Sequence, residues 1–142
     1  MSIEENKAVV RRVWEELANQ KDLALVDELF ASNYVFHGAG GQEIRGPEGL
    51  KQTLATQFTA FPDLHTTIED MVAEGDKLVA RLTATGTHQG EYQGIAPTGK
   101  KVTGTVININ HGVGGKVVET WQVSDRLSMM QQLGVIPTPG QG

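Results

Sequence analysis

The sequence predicts an α+β fold in which helices pack on one face of an antiparallel sheet. Three observations carry this. Apolar residues recur at helical spacing up to Pro62, runs rich in Val, Ile and Thr follow it, and one last helical stretch closes the chain.

Ser2-Ile3-Glu4-Glu5 has the form of a capping box, and Val10, Val13, Trp14 and Leu17 then fall on one face, so a helix is expected over 3–19. Asp22 opens a shorter second helix carrying Leu23, Val26, Leu29 and Phe30. Asn33 to His37 is a short β-like run that ends at the loop Gly38-Ala39-Gly40-Gly41. Gly46-Pro47 starts a third helix, with proline at a first-turn position where its missing N–H costs nothing. Leu50, Leu54, Phe58 and Phe61 form its buried stripe, and Pro62 stops it. Strands are expected at 66–73, 78–87, 102–110 and 117–123, with turns at Gly75-Asp76 and Gly112–Gly115. Gly94 to Gly99 forms a long connection before the third of these. Ser124 can cap a last helix through Leu133, which Gly134, Pro137 and Pro139 terminate.

At 142 residues the chain is long enough for one real core, and no repeat or linker divides it. A single domain over 1–142, with an ordered core of about 3–137, is expected. The net charge is −5 and no run of Lys or Arg exceeds two, which argues against nucleic acid and against an anionic membrane surface. Met1 to Lys7 lacks the apolar core of a signal peptide, and no apolar run approaches a bilayer span. A cytoplasmic monomer or small homo-oligomer is the expectation. With no cysteine, disulfides, thiolate catalysis and cysteine-based zinc sites are excluded. Four scattered histidines, His37, His65, His88 and His111, have no metal-ligand spacing, so no metal site is expected. Gly38–Gly41 lacks the lysine and the strand–loop–helix setting of a phosphate loop.

Four motifs, in order, carry a resemblance. Phe61-Pro62-Asp63-Leu64-His65, Gly86-Thr87-His88-Gln89-Gly90, Pro97-Thr98-Gly99-Lys100 and Gln131-Gln132-Leu133-Gly134 resemble the SnoaL-like polyketide cyclases. The resemblance runs from the first helix to Gly134 and implies the nuclear transport factor 2-like fold, a curved sheet wrapped by helices into a cone with a deep pocket. It also implies ring closure of a polyketide-like molecule by intramolecular aldol condensation, without metal or cofactor. In the family an Asp moves the proton, helped by a His on the neighbouring strand. Alignment on Gly115-Lys116 and Gln132-Leu133-Gly134 puts Gln122 at the Asp position and Asn108 at the His position. An amide cannot serve as a general base at neutral pH, so the catalytic pair is missing.

Asn108 and Gln122 lie equally far from position 115, so a hairpin turning near Gly114-Gly115 sets them opposite one another. Val106, Asn108, Asn110, Val118, Thr120 and Gln122 then share one face, and Ile107, Ile109, His111, Glu119, Trp121 and Val123 the other. Alternation alone makes the apolar face core and the polar face solvent. The resemblance implies the reverse, with the polar face lining the pocket and the Trp121 face covered by a partner: a homodimer through the sheet, a four-chain assembly being equally compatible.

The remaining candidates are ionisable or helix-borne. Asp125 reads as an acid at the N-terminus of the last helix, or as a pocket acid/base replacing the missing Asp. His37 is a candidate pocket acid/base, on the face opposite Tyr34 and Phe36. His88 reads as a loop-holding residue or a ligand contact, His65 as a surface residue, and His111 as the cross-strand partner of Glu119. Trp14 and Thr53 lie on helices that face the pocket in the family's fold. Three functions follow: a cofactor-independent aldol cyclase or isomerase on an enolisable carbonyl compound, a non-catalytic binding protein for a small hydrophobic molecule, or a repurposed hydrolase.

Overall fold

The computed structural model describes residues 2–138; Met1 and 139–142, which include the Pro139 expected after the last helix, lie outside the described residues. Helix α1 (Ile3–Arg12) is capped by the Ser2 hydroxyl, which accepts from Glu5 N–H. It continues as a π-helical turn over Val13–Ala18, so the single helix expected at 3–19 is wound in two ways. A short α2 (Leu25–Leu29) leads into β1 (Phe30–Gly38), which takes Phe30 from the expected helix. A strand not foreseen, β2 (Glu43–Arg45), precedes α3 (Gly46–Ala60). The long strands β3 (His65–Glu74), β4 (Lys77–Thr87), β5 (Lys101–Val113) and β6 (Lys116–Ser124) follow, then α4 (Arg126–Leu133).

The six strands form one sheet in the order β2-β1-β6-β5-β4-β3. Every neighbouring pair is antiparallel except β1 and β6, which run parallel and correct the all-antiparallel expectation. Parallel neighbours need a long crossover rather than a turn, and here α3 and the four strands β2, β3, β4 and β5 supply it. Helices cover one sheet face: α3 packs on β1 and β2, α1 and its π-turn on β3, α4 on β5. Beneath them lie three apolar clusters, built around Leu17, Val26 and Tyr34, around Val10, Leu78, Ala80 and Leu82, and around Ala60, Phe61, Val102 and Leu133.

The β5–β6 register places Asn108 opposite Gln122 and His111 opposite Glu119. The turn itself is Gly114-Gly115, both at positive φ, pairing Val113 with Lys116. A two-residue turn of this kind matches the twist of antiparallel strands. Taken straight on, it would run one residue out of step with the Asn108–Gln122 pairing. The shift between Gly112–Val117 and His111–Glu119 leaves Val118 as an extra, bulged residue and restores that pairing. Val117 rather than Val118 is consequently the buried residue there.

The four motifs turn out to be joinery. Thr87 N–H and hydroxyl donate to the two Asp63 carboxylate oxygens at 2.6 and 2.7 Å, tying the end of α3 to the end of β4. His88 Nδ1 accepts from Thr98 N–H at 3.2 Å and lies 3.0 Å from the Thr98 hydroxyl. The Gln132 carboxamide makes a two-way clamp on Thr103, both bonds 2.8 Å, as a neighbouring strand would. Gly134 closes α4 in the left-handed conformation.

The Asp63 clamp has a pH consequence. The Thr87 N–H, then its hydroxyl, hold the Asp63 carboxyl below its ordinary value. Its contribution to stability is present above the unfolded-state value and is lost as pH falls through the folded-state value. Asp63→Asn should lower the urea midpoint at neutral pH, and the gap from wild type should shrink through the acid carboxylate range. A gap independent of pH would refute this.

Candidate functional site

Polar side chains from β1, β5 and β6 meet on the helix-covered face of the sheet. Asn108 is 1% exposed, and Asn110 and Thr120 are buried with it. The opposite face carries Ile107 (45% exposed), Trp121 (36%) and Val123 (62%). Alternation read as hydrophobicity alone is therefore inverted here. The physical reason is that the buried polar groups satisfy one another: the Thr120 hydroxyl donates to Asn110 Oδ1 at 3.0 Å, and Asn110 Nδ2 donates to Asn108 Oδ1 at 2.6 Å.

Tyr34 joins this group beside Thr120. Burial pushes its phenol well above the usual range, and the Thr120 hydrogen bond offsets part of that rise. Among the described residues, four buried side-chain nitrogens have no hydrogen-bond partner: Asn6 Nδ2, Trp14 Nε1, His88 Nε2 and Asn108 Nδ2. Two of these adjoin one patch of core. Trp14 packs on the cluster of Val10, Leu78, Ala80 and Leu82, and Asn108 is the strand partner of Ala80. Trp14 sits in the π-turn, an irregularity that re-aims side chains and recurs at functional positions. Gln122, opposite Asn108, is half-buried, so the amide pair runs from the interior towards the surface.

The other candidates lie elsewhere. His37 pairs with Trp121 in the sheet and stands on the outer face, its ring stacked on Trp121 at 5.5 Å. Its Nε2 is 2.6 Å from Glu119, and its Nδ1 is 4.0 Å from Glu43. The Glu119 carboxylate expected to serve His111 is thus engaged by His37. Asp125, not Ser124, is the N-cap of α4; it is exposed and accepts from Ser128 N–H at 3.0 Å. Thr53 spends its hydroxyl on the Gly49 carbonyl within α3. His88 is fully buried beside Phe61 at the base of the 89–99 connection.

A surface cleft of about 500 Å³ opens between α3 and the turn at Glu91, Gln93 and Gly94. A void of about 10 Å³, lined in part by Asn6, Asn110 and Gly112, has room for about one water. Neither includes Asn108 or Gln122. Among the described residues no three His, Asp or Glu side chains converge as metal ligands would, and no helix is long and apolar enough to cross a membrane.

Asn110, Thr120 and Tyr34 were not singled out from sequence as site residues. The available signal was the run of polar side chains at even positions of β5 and β6, opposite an apolar odd set. Chemically, the group is a neutral hydrogen-bonding surface with a buried amide N–H edge unspent.

The family model of SnoaL-like polyketide cyclases matches residues 8–133. Aklanonic acid methyl ester cyclase AcmA of Streptomyces galilaeus is 33% identical over 93 residues, 64% of each chain, so the match spans less than two thirds of that enzyme. Among solved structures, AclR of Streptomyces galilaeus, a proposed hydroxylase, superposes with a TM-score of 0.86 at 30% identity, covering 96% of this chain and 85% of AclR. IdmH of Streptomyces antibioticus, a proposed polyketide cyclase, gives 0.80 at 32% identity, covering 91% of this chain and 98% of IdmH.

Proposed function

The chain belongs to the SnoaL-like polyketide cyclase family and has the nuclear transport factor 2-like fold, and from that premise we propose that it binds a small, enolisable polyketide-like carbonyl compound against Asn108 and Gln122. It acts on that compound by orientation and hydrogen bonding, as a cyclase- or isomerase-type protein that needs no metal or cofactor. The observation supporting this is the buried Asn108 amide, opposite Gln122, with its N–H edge unspent. Aldol ring closure passes a proton from the carbon beside one carbonyl to solvent water, joins that carbon to a second carbonyl carbon, and returns a proton from water to the resulting alkoxide. Neutral donors stabilise the enolate and alkoxide oxygens, and holding the two carbons in contact removes much of the entropic barrier.

A second reading, retention of the ligand without turnover, is favoured by a specific observation. Asp125 is an exposed helix cap and His37 stands on the outer face, so neither sequence-derived acid/base adjoins the amide pair. Incubation with an aromatic keto ester, followed by chromatography for the ring-closed product and by titration calorimetry, separates the two. Binding with product formation supports the first reading and binding alone the second. Asn108→Ala with Gln122→Ala should weaken binding about tenfold, the cost of two neutral hydrogen bonds. No binding by the wild-type protein would remove both readings.

The outer face is proposed to be covered by a second copy, because Ile107, Ile109, Trp121 and Val123 form an apolar patch there. Val123→Arg should shift the mass measured by light scattering from dimer to monomer. An unchanged mass would place any interface elsewhere.

A further inference from the structure

The Asn108 carboxamide can present either its oxygen or its NH2 edge to a ligand, and those edges select opposite chemistries. Its neighbours decide which. The Leu78 carbonyl lies 3.5 Å from Asn110 Nδ2. A carbonyl only accepts, so the Asn110 atom facing it must be nitrogen. That same nitrogen lies 2.6 Å from Asn108, whose facing atom must then be the acceptor, Oδ1. On its other side Asn110 presents Oδ1, which takes the Thr120 hydroxyl proton at 3.0 Å. Turning Asn110 over would set its oxygen against the Leu78 carbonyl oxygen, two acceptors with no proton between them. The chain therefore has one direction: Thr120 to Asn110 to Asn108.

With its oxygen spent on Asn110, Asn108 is left with Nδ2, buried and without a partner. Hydrogen bonds in series polarise one another, so this terminal N–H is a stronger donor than an isolated amide.

We infer that Asn110 and Thr120 are positioning residues that hold the Asn108 NH2 edge towards the ligand, so that the site selects a group which only accepts hydrogen bonds, a ketone, ester or enolate oxygen, over a hydroxyl. This deepens the proposed function and rests on its premise that the ligand lies against Asn108. It assigns specificity to two residues that would not themselves touch the ligand. A buried donor edge discriminates because the wrong partner group leaves polar atoms unpaired.

The test uses a matched pair of probes, 2-acetylnaphthalene and its carbinol 1-(2-naphthyl)ethanol, which share a ring system and differ at one oxygen. Wild-type protein should bind the ketone about tenfold more tightly than the carbinol. Asn110→Asp, which replaces the donor nitrogen, should bring that ratio to unity or invert it; Thr120→Val, which keeps the side chain's shape and leaves the Leu78 carbonyl to orient Asn110, should reduce it by a smaller factor. A purely structural role would weaken both probes together. Equal affinities in the wild type, or a ratio unmoved in both variants, would overturn the inference while leaving ligand binding at the amide pair standing.

If neither probe binds, it is the proposed function that is in question, and a ligand-free measurement decides the inference. In labelled protein, NMR coupling across the hydrogen bond from Asn110 Nδ2 to Asn108 Cγ supports the assigned direction. Its absence, or coupling from Asn108 Nδ2 to Asn110 Cγ, overturns it.

Discussion

Asn108→His combined with Gln122→Asp should raise the rate of aldol ring closure by about 10²- to 10⁴-fold, the usual contribution of a positioned general base. The expectation rests on register. The two positions are directly opposed on β5 and β6, on the helix-covered face, so an imidazole and a carboxylate placed there would be neighbours. The carboxylate at 122 would be half-buried, a setting that raises its basicity without forcing it to stay protonated. The His at 108 would inherit the Asn110 Nδ2 donor in place of the Asn108 oxygen. Each single variant should gain much less than the pair, since the proton acceptor and the group that returns the proton act as a unit. The measurement is single-turnover chromatography on an aromatic keto ester. No gain by a double variant that still binds the ester would mean that the scaffold at 108 and 122 does not hold a reacting geometry.

Gly90→Ala should destabilise the fold by about 1–3 kcal/mol, the range for overpacking a site that cannot relax. A Cβ at this position would press on the Thr59 carbonyl oxygen and lie 3.1 Å from Ala60 Cα, both of them main chain at the end of α3. The closeness has a cause: Gln89 N–H and Gly90 N–H both donate to the Ala60 carbonyl, drawing the connection onto the helix end. Gly104→Ala is the control. Its Cβ would meet nothing within 4 Å, and its φ is not in the left-handed region, so it should be neutral or slightly stabilising. Thermal unfolding followed by circular dichroism measures both. Equal midpoints for the two variants would show that the 89–99 connection yields where the packing says it cannot.

Much of the architecture was legible because local chemistry and long-range packing agree. Ser2, Pro47, Pro62 and Gly75 mark boundaries by mechanisms that need no tertiary context, and the Asn108–Gln122 pairing could be reached by counting from the hairpin turn. Three features were not legible. The β1–β6 pairing is parallel, and no turn sequence announces a contact made across most of the chain. The bulge at Val118 offsets the one-residue step of the Gly114-Gly115 turn, so symmetrical counting reached the right pair through a turn of a different kind. The π-turn at Val13–Ala18 leaves the apolar spacing of a helix intact, which hides it from any periodicity argument.

The site was harder. Periodicity reported which residues share a face but assigned the faces the wrong way round, because buried amides that satisfy one another look the same in sequence as solvated ones. His37 shows the limit from the other side. Its parity opposite Tyr34 and Phe36 was visible, and with those two in the core it falls on the outer face with Glu119 and Trp121. Asp125 was one residue from the expected cap and took the capping role itself.

The bonds that join Asp63 to Thr87, His88 to Thr98 and Gln132 to Thr103 do not involve the side chains at 108 and 122. Assembly of the frame and identity of the reacting groups are thus written in separate sets of positions. A lineage can rewrite the second set without refolding the first, which makes this scaffold a chassis: readily recognised by its fastenings, and open to exchange of chemistry at two opposed strand positions.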